Sequence, residues 1–320
     1  MNSYIGHHSQ VSGIEEHRLV GGKGDGMRLY ELHTEGGLDM VFLPDRNGDI
    51  ARLRYKGINL SYMSPCGYVA PAYYENKGSG WLSSFTAGFL TTCGLQNVGT
   101  PNSDNGEELP LHGSIGNIPC EQTYWTESED SFAVHTLTRD ETIFARKLTL
   151  ERTVTVSKKE ARFTIEDLIT NTGDQKTPFE ILYHMNMGYP LLDEESIITI
   201  PSSEVRPRND HAADDIENWM HMERPTAGYE ERCYYHTFPD EKGFASIRQP
   251  KLDLTLEISY DAKELDGFVE WKMMGVRDYV LGLECGNSLP DGRDVMRKTG
   301  MLKFLKPGEQ QKYRVDIAVK

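Results

Sequence analysis

Residues 147–170, KLTLERTVTVSKKEARFTIEDLIT, decide the fold class. The segments 147–156 and 162–170 have the composition of strands, and the residues at 157–160 between them are turn formers, so this stretch predicts a hairpin. Apolar and polar residues also alternate at 252–259 and 313–319. Period-two patterning over short runs broken by turn residues is typical of antiparallel sheets with one buried face.

Helix signals are few. The clearest lies at residues 210–222, where apolar residues fall near helical spacing and predict one short helix or a pair of turns. We therefore expect an all-β protein, a large antiparallel β-sandwich with one or two short helices. No linker divides the chain, so a single domain over residues 1–320 is predicted, with 1–25 as a candidate mobile extension and 100–110 as an exposed polar loop.

Composition restricts the partners. The chain has a net charge of −15, which argues against nucleic acid and anionic membranes, because both require clustered Lys and Arg. No apolar run approaches the ~20 residues that span a bilayer, and the first ten residues carry no signal-peptide core. We expect a cytoplasmic protein.

The five cysteines are widely spaced, and no two of them form a CxxC pair. This pattern fits neither a disulfide framework nor a zinc site, so we expect free thiols and no metal.

Two strand-like segments carry titratable residues on one face. In 179–190, FEILYHMNMGYP, His184 and Asn186 project from the same face. In 279–287, YVLGLECGN, Glu284 ends an apolar strand and Gly282 leaves open space on the same face. A carboxylate there is costly unless it is paired or functional. The alternatives remain a core histidine with satisfied hydrogen bonds and a glutamate bonded to an arginine or to backbone amides.

A third candidate lies at the end of the polar loop, where His112 precedes Gly113. Glycine allows close approach of backbone and ligand, although a turn histidine bonded to a nearby carbonyl would give the same pattern. Unperturbed His titrates near ~6.5 and Glu near ~4.3, so a histidine and a glutamate that met in space would supply an acid and a base at neutral pH.

At these segments the chain resembles the aldose 1-epimerase or galactose mutarotase superfamily, and most of all a bacterial branch whose substrates are unknown. The similar stretches keep their order from about residue 28 to the end of the chain. They are 43–50 (LPDRNGDI), 88–95 (GFLTTCGL), 111–113 (LHG), 182–186 (LYHMN), 188–192 (GYPLL), 279–284 (YVLGLE) and 305–309 (LKPGE).

The resemblance implies a supersandwich with an open cleft, a free monosaccharide as the ligand, and no metal or organic cofactor. It implies that His184 is the general acid that protonates the ring oxygen and that Glu284 is the general base that takes the C1 hydroxyl proton. His112 would hold or polarise the sugar. The ring would open, C1 would turn about its bond to C2, and the ring would close as the other anomer.

One motif of galactose mutarotases is missing. They place an Asn-Arg pair before their first active-site histidine, whereas residues 91–97 here read TTCGLQN. Galactose or glucose specificity therefore does not follow from the resemblance. The side chains that could replace this pair in binding substrate are Asn97, Arg46, Asn186, Arg206, Trp271 and Lys272. Trp271 could equally be a core residue, and Arg46 could equally pair with a carboxylate such as Asp49.

The sequence thus favours an aldose 1-epimerase that interconverts α and β anomers. Two other functions stay open: a carbohydrate-binding or sensing protein on the same scaffold, and a sugar isomerase acting at another carbon. A homodimer is also left open.

Overall fold

The computed structural model describes residues 3–320; Met1 and Asn2, the first two residues of the predicted extension, lie outside this part. The strands in residues 3–320 are β1 Gly13–Arg18, β2 Arg28–His33, β3 Leu38–Leu43, β4 Asp49–Tyr55, β5 Ile58–Asn59, β6 Tyr62–Met63, β7 Ala87–Gly88, β8 Leu90–Leu95, β9 Asn102–Asp104, β10 Glu107–Leu109, β11 Gln122–Glu127, β12 Ser131–Glu141, β13 Lys147–Ser157, β14 Arg162–Asn171, β15 Thr177–Met187, β16 Ile197–Thr199, β17 Glu204–Pro207, β18 Arg232–Thr237, β19 Lys242–Gln249, β20 Leu254–Asp261, β21 Gly267–Met274, β22 Tyr279–Gly286, β23 Lys303–Leu305 and β24 Gln310–Val319. The helices are α1 Asp210–Ala213 and α2 Arg293–Thr299, and short 3-10 turns occupy His8–Gln10, Gly22–Gly24, Pro71–Tyr73, Gly80–Ser84, Ile115–Asn117, Ile216–Asn218 and Pro250–Leu252.

Most strands form two antiparallel sheets. The large sheet has the order β1-β2-β3-β4-β8-β15-β22-β21-β18-β17, with β23 beside β15 and β5 beside β4. The small sheet has the order β11-β12-β13-β14-β24-β20-β19-β16. The β9-β10 hairpin and the short pair β6-β7 form two separate two-stranded sheets. The predicted all-β sandwich with one or two short helices is confirmed.

The main apolar core lies between the two sheets. Along β15, Ile181 and Tyr183 point into this core, whereas Leu182 belongs to a second apolar cluster that includes Trp81 and Val269. The large sheet is therefore buried on both faces near its centre. Connecting segments cover its outer face there, and the candidate site lies beneath them.

Local predictions can be compared element by element. The hairpin predicted at 147–170 is β13-β14, and the predicted helical segment 210–222 consists of α1 and one 3-10 turn. Two expectations need correction. Residues 13–18 are not a free extension, because β1 pairs with β2 along its whole length. The polar loop 100–110 contains β9-β10, and its Asp104 is buried against Arg293 because the two form an ion pair.

Candidate active site

His184 and Glu284 are direct neighbours across two central strands. They face each other in the pairing of β15 with β22, and Nε2 of His184 lies 3.2 Å from Oε1 of Glu284. Their side chains are only 6% and 2% exposed. The sequence placed the two residues on strand faces but could not place them side by side.

Gly282 provides the space that the Glu284 carboxyl group occupies. A Cβ atom at position 282 would lie 2.3 Å from Oε1 of Glu284 and 3.1 Å from Cβ of Trp271. Both distances are shorter than an ordinary carbon contact, so only glycine leaves this position open. The carboxyl group therefore folds back over Gly282.

His112 reaches the same place from a tight turn. Its φ is +55°, and the turn packs against β8, because a Cβ on Gly113 would lie 2.2 Å from the carbonyl oxygen of Gly94. The backbone N–H of Gly99 donates to Nδ1 of His112 at 3.3 Å. The His112 ring lies 5.5 Å from that of His184. Since Nδ1 accepts a hydrogen bond, a neutral His112 carries its proton on Nε2.

These three residues line one cleft of about 200 Å³. Aromatic walls surround them: the Trp271 ring lies 5.2 Å and the Phe85 ring 5.4 Å from the His184 ring, and Trp81 stacks on Phe85. Sites for drug-sized ligands span about 300–1,000 Å³, so this cleft is suited to one small molecule.

Burial dominates the electrostatics of the cleft. It lowers the pKa of His184 to about 4, against a smaller raising effect of the Asn186 amide. It raises the pKa of Glu284 well above its usual value, and repulsion by Glu231 adds to this shift. Burial also lowers the pKa of His112, and the neighbouring His184 and Arg208 reinforce that shift. The uncharged forms of all three groups are therefore favoured.

Arg208 and Glu231 line the cleft but were missed by the sequence analysis. Arg208 donates to Oγ1 of Thr100 at 2.8 Å and to the carbonyl oxygen of Pro290 at 3.0 Å. The Glu231 carboxylate accepts from Nε1 of Trp271 at 2.7 Å. Arg208 follows strand β17 and Glu231 precedes β18. A lone charge beside a strand end carries no signal that separates it from a solvated residue.

Trp81 and Phe85 were also missed. They lie in and directly after the 3-10 turn Gly80–Ser84, within a segment that has no strand or helix periodicity. Of the six predicted substrate-binding residues, Trp271 alone lines the cleft.

Arg46 and Lys272 do not reach the cleft, because both are buried and bonded elsewhere. Arg46 donates to the carbonyl oxygen of Val69 at 2.8 Å, and burial lowers its pKa to about 10. Lys272 donates to the carbonyl oxygens of His221 and Asn218 at 2.6 and 3.2 Å. The carbonyl groups that they bond belong to connecting segments outside the strands.

Asn97 and Arg206 do not line the cleft either. Asn97 is buried, and its amide donates to the carbonyl oxygen of Pro110 at 2.8 Å and to that of Gly99 at 3.3 Å, so it shapes the loop that carries part of the wall. Arg206 is exposed and lies over the ring of Tyr235 at 4.9 Å. Asn186, the remaining member of the set, is fully buried behind the cleft surface.

A buried ionic network lies on the other face of the large sheet, behind the cleft. Arg152 of the small sheet forms two hydrogen bonds with Asp167 and one with Asp49 at 3.0 Å. It also donates to Oγ1 of Thr92, while the Tyr183 hydroxyl donates to Asp167 at 2.8 Å. Thr92 and Tyr183 are paired across β8 and β15, directly beside His184. The network thus ties the floor of the cleft to the opposite sheet.

A larger concave surface of about 590 Å³ lies on the outer face of the small sheet. Its lining includes Thr155, Arg162, Glu257 and Arg314, which are exposed or half-buried strand residues. It contains no buried acid–base pair comparable to His184 and Glu284, so the smaller cleft is the better candidate site.

Within residues 3–320, no group of three or more His, Cys, Asp or Glu side chains is arranged to hold a metal ion. The five cysteines are free thiols. None of the helices in the described part of the chain is both long enough and apolar enough to cross a membrane.

The two sheets and the cleft define a mutarotase-like β-sandwich. The chain belongs to the family described as a domain of unknown function, DUF4432, whose model matches residues 24–319. No curated protein matches the chain.

Solved structures with this fold include three informative ones. A Klebsiella pneumoniae protein provisionally named an aldose 1-epimerase is 25% identical with a TM-score of 0.90, over 96% of this chain and 83% of that one. A galactose mutarotase-like protein from Clostridium acetobutylicum is 14% identical with a TM-score of 0.69, over 97% and 99% of the two chains. Galactose 1-epimerase from Lactobacillus acidophilus is 12% identical with a TM-score of 0.65, over 97% and 99%. The predicted superfamily is confirmed.

Proposed function

We propose that this protein is an aldose 1-epimerase that interconverts the α and β anomers of a small free sugar in the cleft. The observation that carries the proposal is the buried contact between His184 and Glu284 at 3.2 Å, inside a cleft of about 200 Å³. A protein that only binds sugar does not need a matched acid and base at this position.

The resting pair holds one proton, and two proton transfers open the ring. Because burial favours the uncharged forms, Glu284 holds this proton before a sugar binds and His184 is neutral. In ring opening, Nε2 of His184 takes the proton of the C1 hydroxyl while Glu284 gives its proton to the ring oxygen. The bond from C1 to the ring oxygen breaks and the C1 carbonyl forms.

After opening, the pair is an imidazolium and a carboxylate, and C1 turns about its bond to C2. Closure on the other face returns both protons to their first positions. These roles are the reverse of those implied by the resemblance, in which His184 starts as the acid. The difference comes from burial, which makes a charged resting pair costly.

The walls supply recognition. A sugar ring can stack on Trp271 or Trp81, and Nε2–H of His112, the Arg208 guanidinium and the Glu231 carboxylate are available for its hydroxyl groups. The chemistry needs no metal or organic cofactor. We place this activity in the cytoplasm, and a homodimer stays a prediction.

The test is anomer exchange followed by NMR or polarimetry over a panel of monosaccharides. We expect the wild type to accelerate exchange of at least one sugar, and Glu284→Gln to lower kcat/KM by about 10²- to 10⁴-fold. His184→Ala should do the same with folding intact.

The chain offers a matched control. Glu270 and His236 form a second buried contact at 3.4 Å, and Glu270 points away from the cleft because it alternates with Trp271 on β21. Glu270→Gln should leave the activity of the folded protein unchanged. Equal rates for the wild type and Glu284→Gln would reject the proposal.

The same experiment separates the two alternative functions. Tight saccharide binding in calorimetry without a rate effect would indicate a binding or sensing protein. In deuterated solvent, deuterium entering at C2 would indicate an isomerase, because inversion at C1 alone incorporates no deuterium into carbon.

A further inference from the structure

Asn186 follows His184 by two residues on β15, and each of the two side chains has one buried polar atom without an assigned partner. Both side chains project from the same face of β15, and Asn186 is fully buried. The Nδ2 atom of Asn186 donates to the backbone carbonyl oxygen of His184 at 2.9 Å. A carbonyl oxygen can only accept, so this bond fixes which end of the amide is nitrogen.

The remaining atoms are Oδ1 of Asn186 and Nδ1 of His184. Both are buried on side chains that project from the same face of β15, and neither atom has a hydrogen-bond partner within residues 3–320. The Asn186 amide is close enough to the imidazole to raise the pKa of His184, opposing the larger effect of burial. Two adjacent buried polar atoms without other partners are expected to pair with each other.

The chemistry of the two atoms allows only one arrangement. Oδ1 of an amide accepts and cannot donate, so Nδ1 of His184 must carry the hydrogen. A neutral imidazole has one N–H, and its Nε2 is then an unprotonated acceptor that faces Glu284 at 3.2 Å.

We propose that Asn186 is a positioning residue that holds His184 in the Nδ1–H tautomer, so that Nε2 is the basic atom of the pair. Its catalytic consequence rests on the proposed epimerase function, because the tautomer decides which atom can take the sugar proton. The sequence analysis assigned Asn186 to substrate binding; its burial behind the cleft surface gives it this different role.

The two histidines of the cleft are then complementary. Nδ1 of His112 accepts from the backbone N–H of Gly99, which places its proton on Nε2. His112 therefore offers a donor to the ligand, whereas His184 offers a lone pair. A ligand that meets both must present an acceptor to one ring and a proton to the other, as adjacent ring and hydroxyl oxygens of a sugar do.

The direct test is the tautomer of His184 in the full chain. Protein labelled with ¹⁵N-histidine is examined by long-range ¹H–¹⁵N correlation, and His184 is assigned by its absence in His184→Gln. We expect Nδ1–H in the wild type and in Asn186→Asp, which keeps an acceptor. Asn186→Leu keeps the size but removes the acceptor, so its His184 should shift toward Nε2–H.

Rates provide the second readout. Asn186→Leu should lower kcat by about 10- to 100-fold, the usual cost of losing a partner that orients a histidine, with KM changed little. Asn186→Asp should retain most of kcat and move the acid side of the pH–rate profile to higher pH, because a nearby carboxylate raises the pKa of the imidazole. The matched control is Asn171→Leu, because Asn171 is a buried asparagine bonded to the carbonyl oxygens of Gln175 and Leu305, away from the cleft.

The outcomes separate this inference from the proposed function. An Nε2–H tautomer in the wild type would overturn the inference even if Asn186→Leu did not fold, and so would an unchanged tautomer in a folded Asn186→Leu. A wild type with Nδ1–H, lost in Asn186→Leu, but with no epimerase activity would reject the proposed function and uphold the role of Asn186. A wild type that is active but carries the Nε2–H tautomer would uphold the proposed function and reject the role of Asn186.

Discussion

Replacing Gly282 by alanine tests the geometry of the acid–base pair. The new methyl group would lie 2.3 Å from Oε1 of Glu284, whereas ordinary contact begins at 3.4 Å. The carboxyl group would have to move by about 1 Å, because the other near neighbour, Cβ of Trp271 at 3.1 Å, cannot give way as easily. Such a movement disrupts the 3.2 Å contact with His184.

The magnitude follows from the size of this displacement. A misplacement of about 1 Å in a reacting group costs about 10²-fold in rate. Inserting a methyl group into a packed site also destabilises the fold, by about 1–3 kcal/mol. We therefore expect Gly282→Ala to fold, to unfold at a lower denaturant concentration, and to lose about 10²-fold in kcat.

The assay compares anomer exchange per folded molecule with unfolding by denaturant. Gly275→Ala is the matched control, because it lies in the turn between β21 and β22 and its Cβ would meet a flexible neighbour, Cε of Met273, at 2.9 Å. It should keep kcat. A folded Gly282→Ala with wild-type kcat would refute the claim that Glu284 acts from its position over residue 282.

Three further predictions concern charges that are buried in the fold. Because His184 acts as a base with a pKa of about 4, kcat/KM should fall as the pH drops through about 4, rather than near ~6.5, in a pH–rate profile. Burial raises the pKa of Glu180 to about 7. The protonated carboxyl group therefore contributes its full stability below about pH 4.5, and about 3 kcal/mol of it is lost as the pH rises from there through 7. Glu180→Gln should flatten this pH dependence of the free energy of unfolding, measured with denaturant. Arg152→Met leaves Asp49 and Asp167 buried without their shared cation, and should lower the free energy of unfolding by about 3–5 kcal/mol.

Each of these has a clear contrary result. A rate profile centred near ~6.5 would mean that burial does not shift His184. Identical pH dependence in wild type and Glu180→Gln would mean that the carboxyl group at 180 does not titrate differently on folding. Arg139, which pairs with Glu121 on the surface, is the control for Arg152; if Arg139→Met and Arg152→Met cost the same, the buried network contributes nothing special.

The sequence predicted the parts of the site that follow from strand periodicity. His184 and Glu284 could be placed on strand faces because successive side chains of a strand point to opposite sides of the sheet, and Gly282 could be recognised as open space. The pairing of these two strands could not be predicted, because register across 100 residues of chain depends on the whole sheet.

The prediction of substrate-binding residues was wrong for most of them, for another reason. Arg46, Asn97 and Lys272 are polar residues that a fold can use internally, and residue type alone does not separate a ligand contact from a buried partner of backbone carbonyls. Arg208 and Glu231 were missed because loops bring them to the cleft, and loop geometry leaves no period in the sequence.

The proton-transferring groups and the surfaces that select the ligand belong to different parts of the chain. The former stand on paired strands anchored to the opposite sheet through Arg152, while most of the latter come from connecting segments such as 80–85 and 97–112. Substitutions in the connecting segments can therefore change the ligand preference without changing the acid–base pair. A library of variants confined to those segments should change which sugar is accepted and leave the reaction itself in place, which makes this scaffold a practical starting point for engineering anomer exchange on unfamiliar carbohydrates.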